Sequence, residues 1–244
     1  MKIIPVSNYD EMSARAAEIL VEQAISKPQS LFGLATGSTP IGTYNGMIAA
    51  YRAGRVSFAG CKSVNLDEYV GLDHTDEQSY VTFMRENLFN HIDMKPENIH
   101  IPNGKNLDNA AECARYDQLL ADLGPIDVQV LGIGHNGHIA FNEPADHFSP
   151  GTHKVDLDEV TIDANQRFFD CREDVPRAAY SMGLAPIMQA SCALLLVTGE
   201  AKAEILCRSL TGPITPQVPA SILQLHQNLI LIADDAARQV LDQA

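Results

Sequence analysis

The run Gly132-Ile133-Gly134-His135-Asn136-Gly137-His138-Ile139-Ala140-Phe141-Asn142-Glu143-Pro144 gathers groups able to move a proton inside a small space. His138 carries an imidazole, whose ordinary titration lies nearest neutrality, and Glu143 offers a carboxylate that can hold its tautomer and stabilise its protonated form. The pair therefore reads as an acid–base relay. The first six residues also satisfy G-x-G-x-x-G, the dinucleotide fingerprint, which requires a continuous helix after the third glycine. Here Pro144 follows Gly137 by seven residues, and a proline removes a helical hydrogen bond and clashes with the preceding turn. That argues against a nucleotide loop. His135 and His138 form H-x-x-H, but the glycine between them spoils a helical presentation and no third ligand is supplied, which argues against a metal site.

Other chemistry-bearing residues follow short apolar runs. Thr36-Gly37-Ser38-Thr39-Pro40 precedes a helical pattern from about Pro40 to Arg52. Glycine permits close approach, hydroxyls donate, and the free N–H groups of a first helical turn favour an anion, so Gly37, Ser38 and Thr39 form a candidate phosphate cradle. The Walker lysine and spacing are missing, and helix capping alone would also use these residues. Asp67 stands at the carboxyl end of Ser63–Leu66 and could serve as a general base if burial raises its pKa. Glu68 would then point to the opposite face and is read as structural. Lys202, in the first turn after Gly199, is badly placed for the helix dipole unless an anion lies beside it. Arg167, within Arg167-Phe168-Phe169, is a second candidate cation able to grip a phosphate with two donors, although either cation could be a plain surface charge.

These positions need a scaffold that brings distant loops together. Lys2–Val6, Leu31–Ala35, Ser63–Leu66, Asp127–Leu131, Ala193–Val197 and Leu229–Ala233 read as strands, with Ile99–Pro102 as an edge strand. Most are apolar on consecutive positions, as parallel strands covered on both faces require. Between them, Tyr80, Phe83, Met84 and Leu88 repeat at helical spacing, as do Cys113, Tyr116, Leu120 and Leu123 on Asp108–Leu123; both sets read as core. The alternation predicts an α/β fold, a single-domain, doubly wound, mostly parallel, Rossmann-like sheet over 1–244. In such sheets ligands bind beyond the carboxyl ends of the strands. The loops after Ala35, Leu66, Leu131 and Val197 are expected to meet there. The stretch of about 145–170, with Pro150, Gly151 and a short polar–apolar alternation at His153–Leu157, breaks the pattern and reads as a lid or a surface insertion.

Composition narrows the function. A chain of 244 residues buries roughly 70–75% of its unfolded surface and needs no staples. The formal charge of −14 argues against nucleic acid, which is held by clustered Lys and Arg; an anionic small molecule needs only a few local cations and amides. Five scattered cysteines without C-x-x-C spacing read as reduced thiols. The apolar stretch after Met1 is too short for a signal peptide or a membrane span, so a cytoplasmic location is expected.

Four segments carry a family resemblance. Ala35-Thr36-Gly37-Ser38-Thr39-Pro40, Asn65-Leu66-Asp67-Glu68-Tyr69-Val70-Gly71-Leu72, Gly137-His138-Ile139-Ala140-Phe141-Asn142-Glu143-Pro144 and Arg167-Phe168-Phe169 resemble the short bacterial glucosamine-6-phosphate deaminases of the glucosamine/galactosamine-6-phosphate isomerase family, over essentially the full length. The resemblance implies conversion of glucosamine 6-phosphate and water to fructose 6-phosphate and ammonia, in amino-sugar catabolism, with no metal or organic cofactor. It assigns ring opening to His138, oriented by Glu143 and Asn136, and the C2-to-C1 proton transfer to Asp67. Gly37, Ser38, Thr39, Arg167 and Lys202 match phosphate-binding positions.

Asn136 departs from the aspartate of many members; an amide can orient an imidazole but cannot stabilise its positive charge, so Glu143 is expected to supply most of that support. The resemblance implies that longer hexameric members bind an activator through basic residues beyond this motif and a C-terminal extension; here the matching stretch reads Asp146-His147-Phe148-Ser149-Pro150-Gly151-Thr152-His153-Lys154-Val155 and the sequence stops at Ala244, so an unregulated monomer is expected. Two other functions remain open. A 6-phosphogluconolactonase-like hydrolase would not need Asp67 as a carbon base. A sugar-phosphate sensor would be expected to carry a DNA-binding segment before the first strand.

Overall fold

The order of the strands explains where the site sits. A computed structural model describes residues 1–166, 169 and 171–243. In chain order the elements are β1 (Lys2–Val6), α1 (Tyr9–Ser26), β2 (Leu31–Leu34), α2 (Ile41–Arg52), β3 (Lys62–Asn65), β4 (Asp67–Tyr69), α3 (Tyr80–Asn87), β5 (Ile99–His100) and α4 (Asn109–Leu123). There follow β6 (Val128–Leu131), β7 (His153–Asp156), α5 (Glu159–Asn165), β8 (Ala178–Ser181), α6 (Leu184–Gln189), β9 (Ala193–Val197), α7 (Ala203–Thr211), β10 (Leu229–Asp234) and α8 (Asp235–Arg238).

Seven strands form one parallel sheet in the order β1-β10-β9-β6-β2-β3-β5. After β2 the chain moves outward through β3 to β5; after β6 it moves the other way through β9 to β10. β2 and β6 are therefore neighbours at which the direction of travel reverses, and their carboxyl ends open a crevice between diverging loops. The strands are central because their sequences are apolar on both faces. β2, β6 and β9 are buried at every position, and each fully buried leucine, such as Leu194 or Leu195, contributes about 1.5–3 kcal/mol.

Local chemistry sets the helix starts. Asn8 accepts from the Glu11 amide at 2.9 Å, the cap that begins α1, while the Glu11 carboxylate accepts from the amide of Ser7, one residue before the cap, at 2.9 Å. Ser79 accepts from Thr82 N at 3.1 Å to begin α3, and Asp108 accepts from Ala111 N at 3.1 Å to begin α4.

A second sheet was not foreseen. β4, β8 and β7 pair antiparallel, with Asp67 opposite Ser181 and Lys154 opposite Tyr180. Asp67 thus begins a short strand rather than a loop. The polar–apolar alternation of 153–157 is a real strand, half exposed on one face. Beneath this sheet Tyr69, Phe141, Leu157, Ile162, Val175 and Ala179 form a separate apolar cluster, which fastens α5 and the 145–166 segment beside the main crevice.

Candidate active site

The crevice at the β2–β6 reversal holds a cavity of about 430 Å³. Gly37, Ser38 and Thr39 line it from the loop after β2, Asp67 from β4, Asn136 and His138 from the loop after β6, and Lys202 from the turn after β9. The four loops meet as the strand pattern predicts. Glu143 stands behind His138 on the wall of a second, smaller cavity of about 220 Å³. Arg167 lies outside the described residues.

The loop after β2 is held by two tyrosines. The Tyr44 hydroxyl donates to Ala35 O at 2.5 Å and accepts from Ala35 N at 3.2 Å, while Tyr9 donates to Ser38 O at 2.9 Å and accepts from Gly42 N at 2.8 Å. Gly37 takes φ 91°, a left-handed conformation that costs glycine nothing. The loop that leads into α2 therefore lines the cavity in an already ordered form. Lys202 directly precedes α7, and its ammonium donates to Ile133 O at 2.9 Å. Asp234, at the end of β10, accepts from Gly199 N at 3.1 Å and from Ala237 N at 2.8 Å, fixing the turn that carries Lys202. A cation, hydroxyls and the loop that leads into a helix share the lining of one cavity, a setting suited to a phosphate.

Asp67 is only 6% exposed. Burial, and secondarily the charge of Glu68, push its carboxyl up to about 8, because desolvation and a like charge both disfavour the ionised form. Among the described residues no hydrogen-bond donor reaches this carboxylate. Glu68 faces elsewhere: its oxygens accept from Tyr69 N at 2.8 Å, Tyr80 N at 2.9 Å and Val81 N at 3.1 Å. Burial raises it to about 7 against those three donors, and its place at the start of α3 is structural.

His138 is half-buried, and its Nδ1 lies 3.2 Å from Glu143 Oε1, an ion-pair distance not aligned as a hydrogen bond. Glu143 Oε1 also accepts from the Thr161 hydroxyl at 2.7 Å. Glu143 Oε2 accepts from the Asn136 amide, whose Nδ2 lies 3.3 Å from Asp158 Oδ2 as well. The Asn136 carbonyl takes the His138 amide at 3.1 Å. Although burial opposes its charge, Glu143 is held below the ordinary glutamate value by His138, Thr161 and Asn136. Two backbone features place the ring. A Cβ on Gly134 would lie 2.3 Å from His138 Nε2, so only glycine lets the imidazole rest against this turn. Ala140 takes φ 52°, strain of about 1 kcal/mol or more for a residue with a Cβ, and the chain reverses there to bring Glu143 back beside His138.

Some residues did not declare themselves in the sequence. Tyr80 and Phe83 were expected in the core with Met84 and Leu88; Met84 and Leu88 are fully buried, whereas Tyr80 and Phe83 line the cavity. Glu68 accepts from the first amides of α3, and Tyr80 lies tilted against Tyr69 and stacks on Phe141, with centroids 4.7 and 6.3 Å away. Thr161 and Asp158, from the expected lid segment, also reach the relay; nothing in their spacing marks them.

The sequence from 7 to 231 matches the family model described as glucosamine-6-phosphate isomerases/6-phosphogluconolactonase. The chain belongs to this family. Among its relatives, a glucosamine-6-phosphate deaminase of Lachnoclostridium phytofermentans is 54% identical over 232 residues, 95% of this chain and 98% of the relative. One from Clostridioides difficile is 50% identical over 99% of this chain and 97% of its own length. A solved structure of a monomeric glucosamine-6-phosphate deaminase superposes with a TM-score of 0.96 at 43% identity, covering 98% of this chain and 100% of the other. A 6-phosphogluconolactonase from Thermotoga maritima shares the fold at a TM-score of 0.74 and 16% identity, covering 96% and 99%. Within the family, the deaminase branch lies far nearer this chain than the lactonase branch.

Proposed function

We propose that this family member is a glucosamine-6-phosphate deaminase, releasing fructose 6-phosphate and ammonia. The observation that carries the reading is the buried, donor-free Asp67 carboxylate on the wall of a cavity that His138 also lines. A hydrolase acting on an ester has no use for a second, high-pKa carboxylate; a carbon base does. The sugar phosphate is held by Gly37, Ser38, Thr39 and Lys202, with Arg167 as a further cation. His138 moves a proton from the anomeric hydroxyl to the ring oxygen, opening the pyranose, while Glu143 and Asn136 hold its ring. Asp67 then takes the C2 proton and returns it to C1. The intermediate enolamine becomes a C2 iminium, to which water adds before ammonia leaves.

The chain has no need of a metal in these steps. Among the described residues no helix is long and apolar enough to cross a membrane, and a cytoplasmic monomer fits the reading. A coupled assay for fructose 6-phosphate and ammonia, with Asp67→Asn as control, tests the activity; full turnover in that variant would remove Asp67 from the mechanism. Light scattering at working concentration tests the monomer.

A further inference from the structure

We propose that Thr161 is a positioning residue for the ring-opening relay: from the first turn of α5, its hydroxyl fixes the Glu143 oxygen that faces His138. This rests on the reading of His138 and Glu143 as that relay. Thr161 is 5% exposed and donates to Glu143 Oε1 at 2.7 Å, the same oxygen that lies 3.2 Å from His138 Nδ1. The terminal torsion of a glutamate is broad and nearly two-fold, so a carboxylate needs outside anchors to keep one oxygen on target. His138 is not aligned to supply one. Asn136 anchors Oε2, and Thr161 anchors Oε1. Without the hydroxyl, Oε1 loses its only well-directed donor among the described residues and the carboxylate is free to turn away.

The neighbouring residue supports the same reading. Asp158 is the N-cap of α5, yet its side chain makes no cap hydrogen bond; its Oδ2 lies 3.3 Å from Asn136 Nδ2 instead. One turn of α5 thereby reaches both anchors of Glu143. Hydrogen bonds to charged acceptors are the strong ones, and a helix beside the cavity is thus tied to the residue that orients the base.

Thr161→Val keeps the shape and removes the donor, while Thr161→Ser keeps the donor. For glucosamine 6-phosphate turnover, Thr161→Val is expected to lower kcat roughly tenfold, the size of one charged hydrogen bond, with KM within about twofold. The acid limb of kcat/KM should move to higher pH, since a lost donor disfavours the ionised carboxylate. Thr161→Ser should restore both. In a Glu143→Gln background, Thr161→Val should cost nothing further, because it acts through Glu143. Wild-type kcat and pH profile in Thr161→Val, beside an impaired Glu143→Gln, would overturn the role of Thr161 alone. A silent Glu143→Gln would overturn the relay and this inference with it. Should Thr161→Val fold poorly, an additive loss in the double variant, or failure of Thr161→Ser to restore kcat, overturns the inference as well.

Discussion

The side-chain amide of Asn136 donates to Oε2 of Glu143 and its carbonyl accepts from the backbone of His138. An aspartate here could not make the first of these bonds while ionised, and it would face Asp158 as well as Glu143. Asparagine therefore serves as a neutral brace, leaving the negative charge beside His138 to Glu143.

Glu143→Gln is expected to reduce kcat about 100-fold, within the range of a lost acid–base partner, whereas Asn136→Ala should cost about tenfold. Asn136→Asp places a like charge beside Glu143, raising its pKa, so the acid limb of kcat/KM should shift upward. Steady-state pH profiles decide; an unchanged Glu143→Gln beside a dead Asn136→Ala would reverse the assignment.

Asp67 has a folded pKa of about 8, so the base is mostly protonated at pH 6 and activity should climb as pH rises toward 8. Glu68→Gln removes the secondary, like-charge cause and should bring that rising limb to lower pH, at a cost in Tm from weaker capping of α3.

Asp67→Asn should lower turnover roughly 1,000-fold or more and yet stabilise the fold at alkaline pH. A carboxyl whose folded pKa is raised binds its proton more tightly in the native state, so the native state loses stability relative to the unfolded chain as pH rises from the unfolded value toward 8. The amide escapes that loss. Melting curves should show a higher Tm for Asp67→Asn at pH 8, by about 2–4 °C per kcal/mol, and little difference near pH 4. Equal Tm values at pH 8 would contradict the burial of a titrating Asp67.

Gly134→Ala puts a methyl group against the imidazole. A displacement of the ring by an ångström costs on the order of 100-fold in kcat. Kinetics and melting together check this: a large loss of Tm with normal kcat would mean that the backbone had given way instead.

Lys202→Met should raise KM for the sugar phosphate about 10–100-fold, the value of a charge-assisted hydrogen bond. Titration with inorganic phosphate as a competitive inhibitor should weaken in parallel. An unaltered inhibition constant would place the phosphate elsewhere.

The main sheet was readable because β2 and β9 are apolar runs and β6 and β10 are nearly so, broken by Gln129 and by the terminal Asp234, and a doubly wound sheet leaves few places for polar loops to go. The small sheet was hidden for the opposite reason. His153–Asp156 and Ala178–Ser181 are short, and their pairing is decided by partners far along the chain. Asp67, His138 and Glu143 carried recognisable chemistry and a motif; Thr161 is one threonine on a helix, and only the fold sets its hydroxyl against a carboxylate. Tyr80 looked like core because an aromatic at helical spacing has the same signature whether it meets a side chain or a substrate.

The reversal of strand order also bears on how the protein comes together. β2 and β6 meet through Phe32 opposite Val128 and Gly33 opposite Gln129, beside a bond from Leu31 N to Asp127 at 2.8 Å that spans 96 positions. Closing so long a loop carries an entropy cost before any contact rewards it, and non-local parallel pairing is slow. The cradle after β2 and the histidine after β6 cannot face each other until that closure is made. Catalytic activity regained during refolding is therefore a clock for the pairing of these two strands, and it should lag behind recovery of helical signal.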